Sequence, residues 1–186
     1  MCILGKGIEA FDTVANKENE FHPKPLTVKL LTPLFTKTLE TYKKLYKFDL
    51  SYMSIKISDI PLNTNGEPSK STTKAQFGGC WTTKQIIYIN PHFELPVKYY
   101  EKVCDKETYM RVLKTVIAHE LAHEIYTHHA SMEFKKEIQK KIRDEHFTTS
   151  YIQALDNTYK KYDEECFCEY LAAQIYQYVK NTDVKV

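Results

Sequence analysis

No stretch of this 186-residue sequence is apolar for long enough to span a bilayer, and no apolar block follows a basic start near its first residue. The sequence therefore predicts neither a transmembrane helix nor an export signal. A strong charge of either sign is missing as well, since 26 Lys and Arg stand against 24 Asp and Glu. This balance does not indicate nucleic acid or an anionic membrane as a partner.

Cysteine is scarce, and its five positions lack the spacing of a disulfide scaffold: Cys2, Cys80, Cys104, Cys166 and Cys168. An odd number of scattered cysteines favours reduced thiols, which are typical of the cytosol. Because no export signal is seen either, the sequence predicts a cytoplasmic protein.

The remaining composition is that of an ordinary globular chain, with 42% apolar and 27% charged residues. The length predicts one domain with a substantial core, and no internal repeat divides the sequence. We expect residues 1–25 to form an irregular N-terminal segment and residues 26–186 to form the single domain.

Apolar residues recur at helical spacing in four segments. The first, residues 26–48, contains Pro33, which fits best in a first turn that begins near Thr32. The other three are residues 107–126, residues 132–143, and residues 151–179 with a break expected near Asp156 or Asp163.

Strand patterns lie between the first helix and the others. Residues 52–60 alternate between apolar and polar side chains, and residues 61–73 are turn formers of a long loop. Residues 75–81 and 85–90 are two short strands that are close enough to form a hairpin. The predicted class is α+β, with a small antiparallel or mixed sheet packed on the 107–126 helix and the C-terminal helices.

The sharpest feature of the sequence is the motif HELAH, which includes His119, Glu120 and His123. Residues four apart share one face of a helix, so both imidazoles can reach one zinc ion from the same side. Glu120 points about 100° away from His119, beside the ion, where it can act as a general base. The apolar neighbours of the motif predict partial burial, and buried histidines and carboxylates need a partner such as a metal.

A catalytic zinc usually has three protein ligands, and Glu165 is our favoured third one. In the helical pattern that follows it, Glu165 forms one stripe with Cys168, Glu169 and Ala172. The two small residues would let this helix approach the His119 helix closely. Glu169 could then accept the ring N–H of a ligand histidine and so fix its tautomer.

His129 is the alternative third ligand. It could turn back toward the metal if the helix ended near Tyr126, although no Gly or Pro from residue 124 to residue 129 requires such a break. In the simpler interpretation, His128 and His129 are exposed residues at a helix C-terminus, where the helix dipole favours a positive charge.

The motif and the Glu165 stripe together resemble the gluzincin pattern, HExxH followed by ExxADxxA. The resemblance implies that His119, His123 and Glu165 bind a catalytic Zn²⁺, that Glu120 is the general base and that Glu169 is the outer carboxylate. The sequence departs from that pattern by a cysteine in place of its alanine and a glutamate in place of its aspartate.

A rival resemblance begins at residues 77–80, FGGC. That segment, residues 86–91, the HELAH motif and His129 are together similar to the small SprT-like and YgjP-like metallopeptidases. Those families have a Gly-x-Cys hairpin and a histidine at the His129 position. Cys80 could also cap the zinc as an inhibitory thiolate, but we favour a free, buried cysteine.

We therefore predict a zinc metallopeptidase of the zincin type, a hydrolase in which Glu120 activates the attacking water. Its partner would be a peptide or protein substrate, bound extended along residues 75–81 or 85–90 as an edge strand. The sequence does not select an oxyanion-stabilising residue among Tyr151, Tyr159, Tyr162 and His146. Two other functions stay open, namely an inactive zincin scaffold that binds or regulates a partner, including a DNA-associated one, and a metal-dependent amidase acting on a non-peptide substrate.

Overall fold

The computed structural model describes residues 26–57, 78–89, 106–149 and 162–184. The predictions for residues 1–25 and for the loop at residues 61–73 lie outside this part of the chain. The described elements are α1 (Val28–Tyr46), β1 (Ser54–Ile57), β2 (Gly78–Trp81), a 3-10 turn (Thr82–Lys84), β3 (Ile86–Ile89), α2 (Lys106–Glu124), a π-helical turn (Ile125–His129), α3 (Met132–Asp144) and α4 (Tyr162–Val179). Four helices and a three-stranded mixed sheet confirm the predicted α+β class.

Helix α1 begins earlier than predicted. Its N-cap is Thr27, whose Oγ1 accepts a hydrogen bond from the Leu30 amide at 3.3 Å, so the first residue is Val28 rather than one near Thr32. The cap satisfies one of the otherwise unpaired amides of the first turn. Pro33 consequently lies inside the helix, in its second turn, where it removes one backbone donor.

The later helices differ from the prediction mainly at their ends. The α-helical part of the 107–126 segment ends at Glu124, and a π-helical turn continues from Ile125 to His129. Helix α3 matches its prediction within one residue. Helix α4 covers the second part of the predicted 151–179 segment and starts next to the break expected near Asp163, while residues 150–161 lie outside the described chain.

The sheet has the order β1-β3-β2, so β3 is its central strand. Strand β1 pairs with β3 in parallel, and β2 pairs with β3 antiparallel, with Cys80 opposite Ile87. The predicted hairpin is therefore confirmed. Of the two segments considered as a substrate-binding edge, β3 is excluded by its central position, and β2 is an edge of the sheet formed by the described strands.

Two glycines of β2 allow it to pack closely. A Cβ atom on Gly78 would lie 2.9 Å from the carbonyl oxygen of Tyr88 and 3.1 Å from Cγ1 of Val116 on α2. A Cβ atom on Gly79 would collide with the hydroxyl and ring of Tyr88, which lies across that position. Gly78 thus permits β2 to lie directly against the helix that carries the HELAH motif, and Gly79 leaves room for the side chain of Tyr88.

The core is formed mainly between α2 and α4. Large apolar side chains from both helices have no solvent exposure: Leu113, Ile117, Leu121, Phe167, Leu171 and Ile175. Each such side chain contributes about 1.5–3 kcal/mol by leaving water. The small residues Cys168 and Ala172 are also fully buried in this core, as expected for a close approach of the two helices. None of the helices in the described ranges combines the length and hydropathy needed to cross a membrane.

Candidate metal centre

Helix α2 places His119 and His123 one turn apart on its buried side. Only 8% of His119 is exposed, and the same fraction applies to Glu120. The Nε2 atoms of the two histidines lie 3.2 Å apart, so both rings direct the same nitrogen to one point. This convergence is the arrangement that the four-residue spacing predicts.

Glu165 on α4 brings a carboxylate to that point. Its Oε2 lies 3.3 Å from Nε2 of His119, and its Oε1 lies 3.8 Å from Nε2 of His123. One donor atom from each of these three residues falls within 4.8 Å of the other two. We call His119, His123 and Glu165 the metal cluster, because this group of the described residues can hold a metal ion.

The donor set of the metal cluster fits a small divalent cation. Ligands bound at about 2.0–2.1 Å in a tetrahedral arrangement lie about 3.3–3.4 Å from one another. The closest separations in the metal cluster are 3.2 Å between the two histidines and 3.3 Å between His119 and Glu165. The spacing of these atoms is therefore compatible with a bound metal ion.

Carboxylates also lie at the outer nitrogens of both histidines. Nδ1 of His119 is 2.8 Å from Oε1 of Glu169, and Nδ1 of His123 is 2.7 Å from Oε1 of Glu164. Since an ionised carboxylate only accepts hydrogen bonds, this arrangement favours a proton on each Nδ1. Each Nε2 then keeps a lone pair for a metal, and the carboxylate raises the basicity of the ring.

The sequence prediction anticipated the position of Glu169 but not that of Glu164. Glu164 directly precedes Glu165, in an acidic first turn of α4 that also includes Asp163. Helical spacing places it on a different line of side chains from Glu165. The sequence signal that could have indicated it was its position directly before Glu165. The packing of α4 against α2 brings it to His123.

The electrostatics of the site favour a positive charge. Burial lowers the pKa of His119, but hydrogen bonding to Glu165 and Glu169 outweighs this effect and raises the pKa well above its ordinary value. Burial raises the pKa of Glu120, while the two histidines act in the opposite direction. The carboxylates around His119 thus favour a positive charge at this position.

His129 is not part of the metal cluster. It ends the π-helical turn, and its Nε2 lies 2.5 Å from the hydroxyl of Tyr52. Its ring also packs 6.0 Å from the ring of Phe48, measured between centroids. Within the described chain, the structure therefore assembles the predicted Glu165 arrangement and places the alternative third ligand against other residues.

Cys80 is a free, partly buried thiol on β2. Burial raises its pKa above the ordinary value, and the charges of Glu120 and then Glu124 act in the same direction. This neutral thiol is not among the described residues that can hold the metal ion. The thiols of Cys166 and Cys168 are buried.

The candidate oxyanion residues are not brought to the metal cluster by the described chain. Tyr151 and Tyr159 lie outside the described residues, as does the side chain of Tyr162. His146 is exposed in the turn that follows α3, where its backbone has a φ of 49°. The role therefore stays unassigned.

No protein-family model, curated protein or solved structure matches this chain.

Proposed function

We propose that the protein is a zinc-dependent hydrolase that cleaves peptide bonds, with a single ion held by His119, His123 and Glu165. The observation that carries this proposal is the buried carboxylate of Glu120 beside three converging donor atoms. The resemblance of these positions to the gluzincin pattern supports it. Two nitrogen donors and one carboxylate oxygen suit zinc and leave one tetrahedral position for a water or a substrate.

The number of protein ligands favours a catalytic role over a structural one. Structural zinc sites usually have four protein ligands, whereas catalytic sites have three. Among the described residues, the group that can hold an ion contains three. Neither His129 nor Cys80, the two residues considered for closing the fourth position, belongs to that group.

Glu120 is the general base of the proposed reaction. When bound, a zinc ion would polarise the scissile carbonyl and acidify the attacking water. The carboxylate of Glu120 accepts the proton of that water and then transfers it to the leaving amine. A carboxylate is suited to both transfers, because it can accept a proton and give it up again.

Strand β2 supplies a surface for an extended substrate. One side of β2 pairs with β3, while the other side is not paired with any described strand. Strand β2 also packs on α2 next to the motif, with Gly78 at Val116. A polypeptide could add to this edge by main-chain hydrogen bonds and run past the metal cluster.

Replacement of Glu120 by Gln tests the proposal. The variant keeps the size of the side chain but cannot accept the proton, so we expect the rate of peptide hydrolysis to fall by at least about 100-fold. Zinc content, measured by elemental mass spectrometry, should stay at the wild-type value. Glu133→Gln, a change in the first turn of α3, is the matched control and should keep full activity.

The same assay separates the other functions. A Glu120→Gln variant with wild-type activity would refute the mechanism. Wild-type protein that holds zinc but cleaves no sequence in a diverse peptide library would refute the peptidase. In that case, hydrolysis of small amides by the same preparation would indicate the amidase, and complete inactivity would indicate the binding scaffold.

A further inference from the structure

The residue after His123 carries a buried carboxylate outside the proposed mechanism. Only 2% of Glu124 is exposed. Its Oε1 accepts a hydrogen bond of 2.7 Å from the hydroxyl of Tyr52. Its Oε2 is buried and has no hydrogen-bond partner among the described residues. The hydroxyl of Tyr52 is therefore a hydrogen-bond donor that stabilises the buried carboxylate of Glu124.

The same hydroxyl also contacts His129, at the far end of the π-helical turn. Nε2 of His129 lies 2.5 Å from Oη of Tyr52, and the two rings are stacked with centroids 6.0 Å apart. Because Tyr52 donates its proton to Glu124, it can accept a hydrogen bond from His129. We call Glu124, Tyr52 and His129 the tyrosine cluster, which joins both ends of the π-helical turn.

The backbone between Glu124 and His129 departs from regular α-helical geometry. Regular α-helical hydrogen bonding ends at Glu124, directly after the ligand His123, and a π-helical turn follows. A π-helical turn is a rare conformation that occurs frequently at functional sites. The end of α2 is therefore held in part by the side-chain contacts of Tyr52, which comes from the segment before β1.

We propose that Tyr52 is a positioning residue of the metal centre, which fixes His123 by anchoring Glu124. A buried carboxylate that loses its donor is destabilised, so its side chain is expected to move toward water. Movement of Glu124 would displace the neighbouring His123, and a metal site tolerates displacements of only about 0.5 Å. This inference rests on the metal site of the proposed function and gives His129 a supporting role instead of a coordinating one.

Zinc affinity of the full-length chain, measured by competition with a chromophoric chelator, tests this proposal. Tyr52→Phe removes only the hydroxyl, and we expect it to lower the association constant by about 10-fold or more, as for other outer contacts of metal sites. His129→Ala should lower it less, because Tyr52 can still donate to Glu124. Tyr178→Phe, a change at an exposed tyrosine, is the control and should have no effect.

A double variant separates positioning from a general loss of stability. If the unpaired charge of Glu124 causes the defect, Tyr52→Phe with Glu124→Gln should bind zinc more tightly than Tyr52→Phe alone. The melting temperature of each metal-free variant is measured in parallel. His129 is exposed, so we expect His129→Ala to fold. Its zinc affinity can therefore be measured even if Tyr52→Phe does not fold.

Each contrary outcome has a distinct meaning. Wild-type protein that binds no zinc would overturn both the proposed function and this inference. Wild-type zinc affinity in Tyr52→Phe, with or without a lower melting temperature, would overturn only the role of Tyr52. Complete loss of zinc in His129→Ala, with normal binding in Tyr52→Phe, would make His129 a ligand and also overturn the positioning role.

Discussion

The metal cluster and the tyrosine cluster lie next to each other at the end of α2, and each combines histidine with buried glutamate. In the metal cluster, two Nε2 atoms and a carboxylate converge, while other carboxylates lie at the outer nitrogens. In the tyrosine cluster, a hydroxyl lies between Glu124 and His129 and hydrogen-bonds to both. The metal cluster thus brings together atoms that can bind a metal ion, whereas the tyrosine cluster is organised around a hydroxyl group.

This difference shows how a metal site can be distinguished from an ordinary buried polar group. Buried acceptors require a donor or a cation. In the tyrosine cluster, the hydroxyl of Tyr52 supplies a proton to Oε1 of Glu124. In the metal cluster, one atom from each of three residues lies close enough to the other two for the group to hold a metal ion.

The largest predicted effect comes from removing the side chain of Glu165, and it is compared with the removal of His129. Glu165→Ala removes a direct ligand, so zinc affinity should fall by more than the roughly 10–100-fold loss typical of an outer contact. His129→Ala should cause at most a several-fold loss, because its contact with the metal is indirect. Chelator competition measures both, and the reverse order of effects would contradict the division into two clusters.

A smaller effect is predicted for the outer carboxylates. Glu169→Ala and Glu164→Ala should each lower zinc affinity by about 10–100-fold, because each removes the acceptor of a ligand ring. The loss should be larger for Glu169, whose side chain is 4% exposed, than for Glu164, which is 22% exposed. Equal affinities of both variants and the wild type would show that these contacts do not orient the ligands.

The smallest predicted effect is a loss of folding stability at alkaline pH that comes from the tyrosine cluster. Burial, followed by the hydrogen bond to Glu124, raises the pKa of Tyr52 above its ordinary value. Its contribution to stability is therefore complete below about pH 10, where the unfolded chain begins to ionise, and is lost as the pH rises further. Because Tyr52 is 40% exposed, the loss should be well below the roughly 1.4 kcal/mol per pH unit expected for a buried phenol.

Urea unfolding between pH 9 and pH 12 measures this contribution. The free energy of unfolding of the wild type should decrease more steeply above pH 10 than that of Tyr52→Phe. Both proteins should retain a common decrease from other tyrosines, such as Tyr46, whose pKa is raised to about 12 by burial. Parallel curves for the two proteins would show that the Tyr52 proton is not held by the folded state.

The sequence was sufficient for the metal cluster because helical geometry fixes which residues share a face. The spacing of His119 and His123 placed both rings together, and the stripe containing Glu165 and Glu169 indicated which side of the second helix would meet them. The small residues of that stripe supported a close approach. These inferences needed only local periodicity and the contact of two helices.

The sequence was insufficient where contacts depend on tertiary structure or on a single cap. Tyr52 meets Glu124 and His129 across sequence separations of 72 and 77 residues, and no periodicity relates them. The earlier start of α1 depends on one hydroxyl of Thr27. The strand order could not be predicted from the sequence either. Either strand of the hairpin could form the edge of the sheet, and only the pairing of β1 with β3 places β2 there.

X-ray absorption spectroscopy of the zinc-loaded protein is the most direct test of the metal cluster. We expect one zinc ion per chain, bound by two imidazole nitrogens and by oxygen ligands at zinc–ligand distances of about 2.0–2.1 Å. A third imidazole, or a sulfur ligand at about 2.3 Å, would contradict the assignment of His119, His123 and Glu165. Failure of the folded protein to retain any zinc would contradict it altogether.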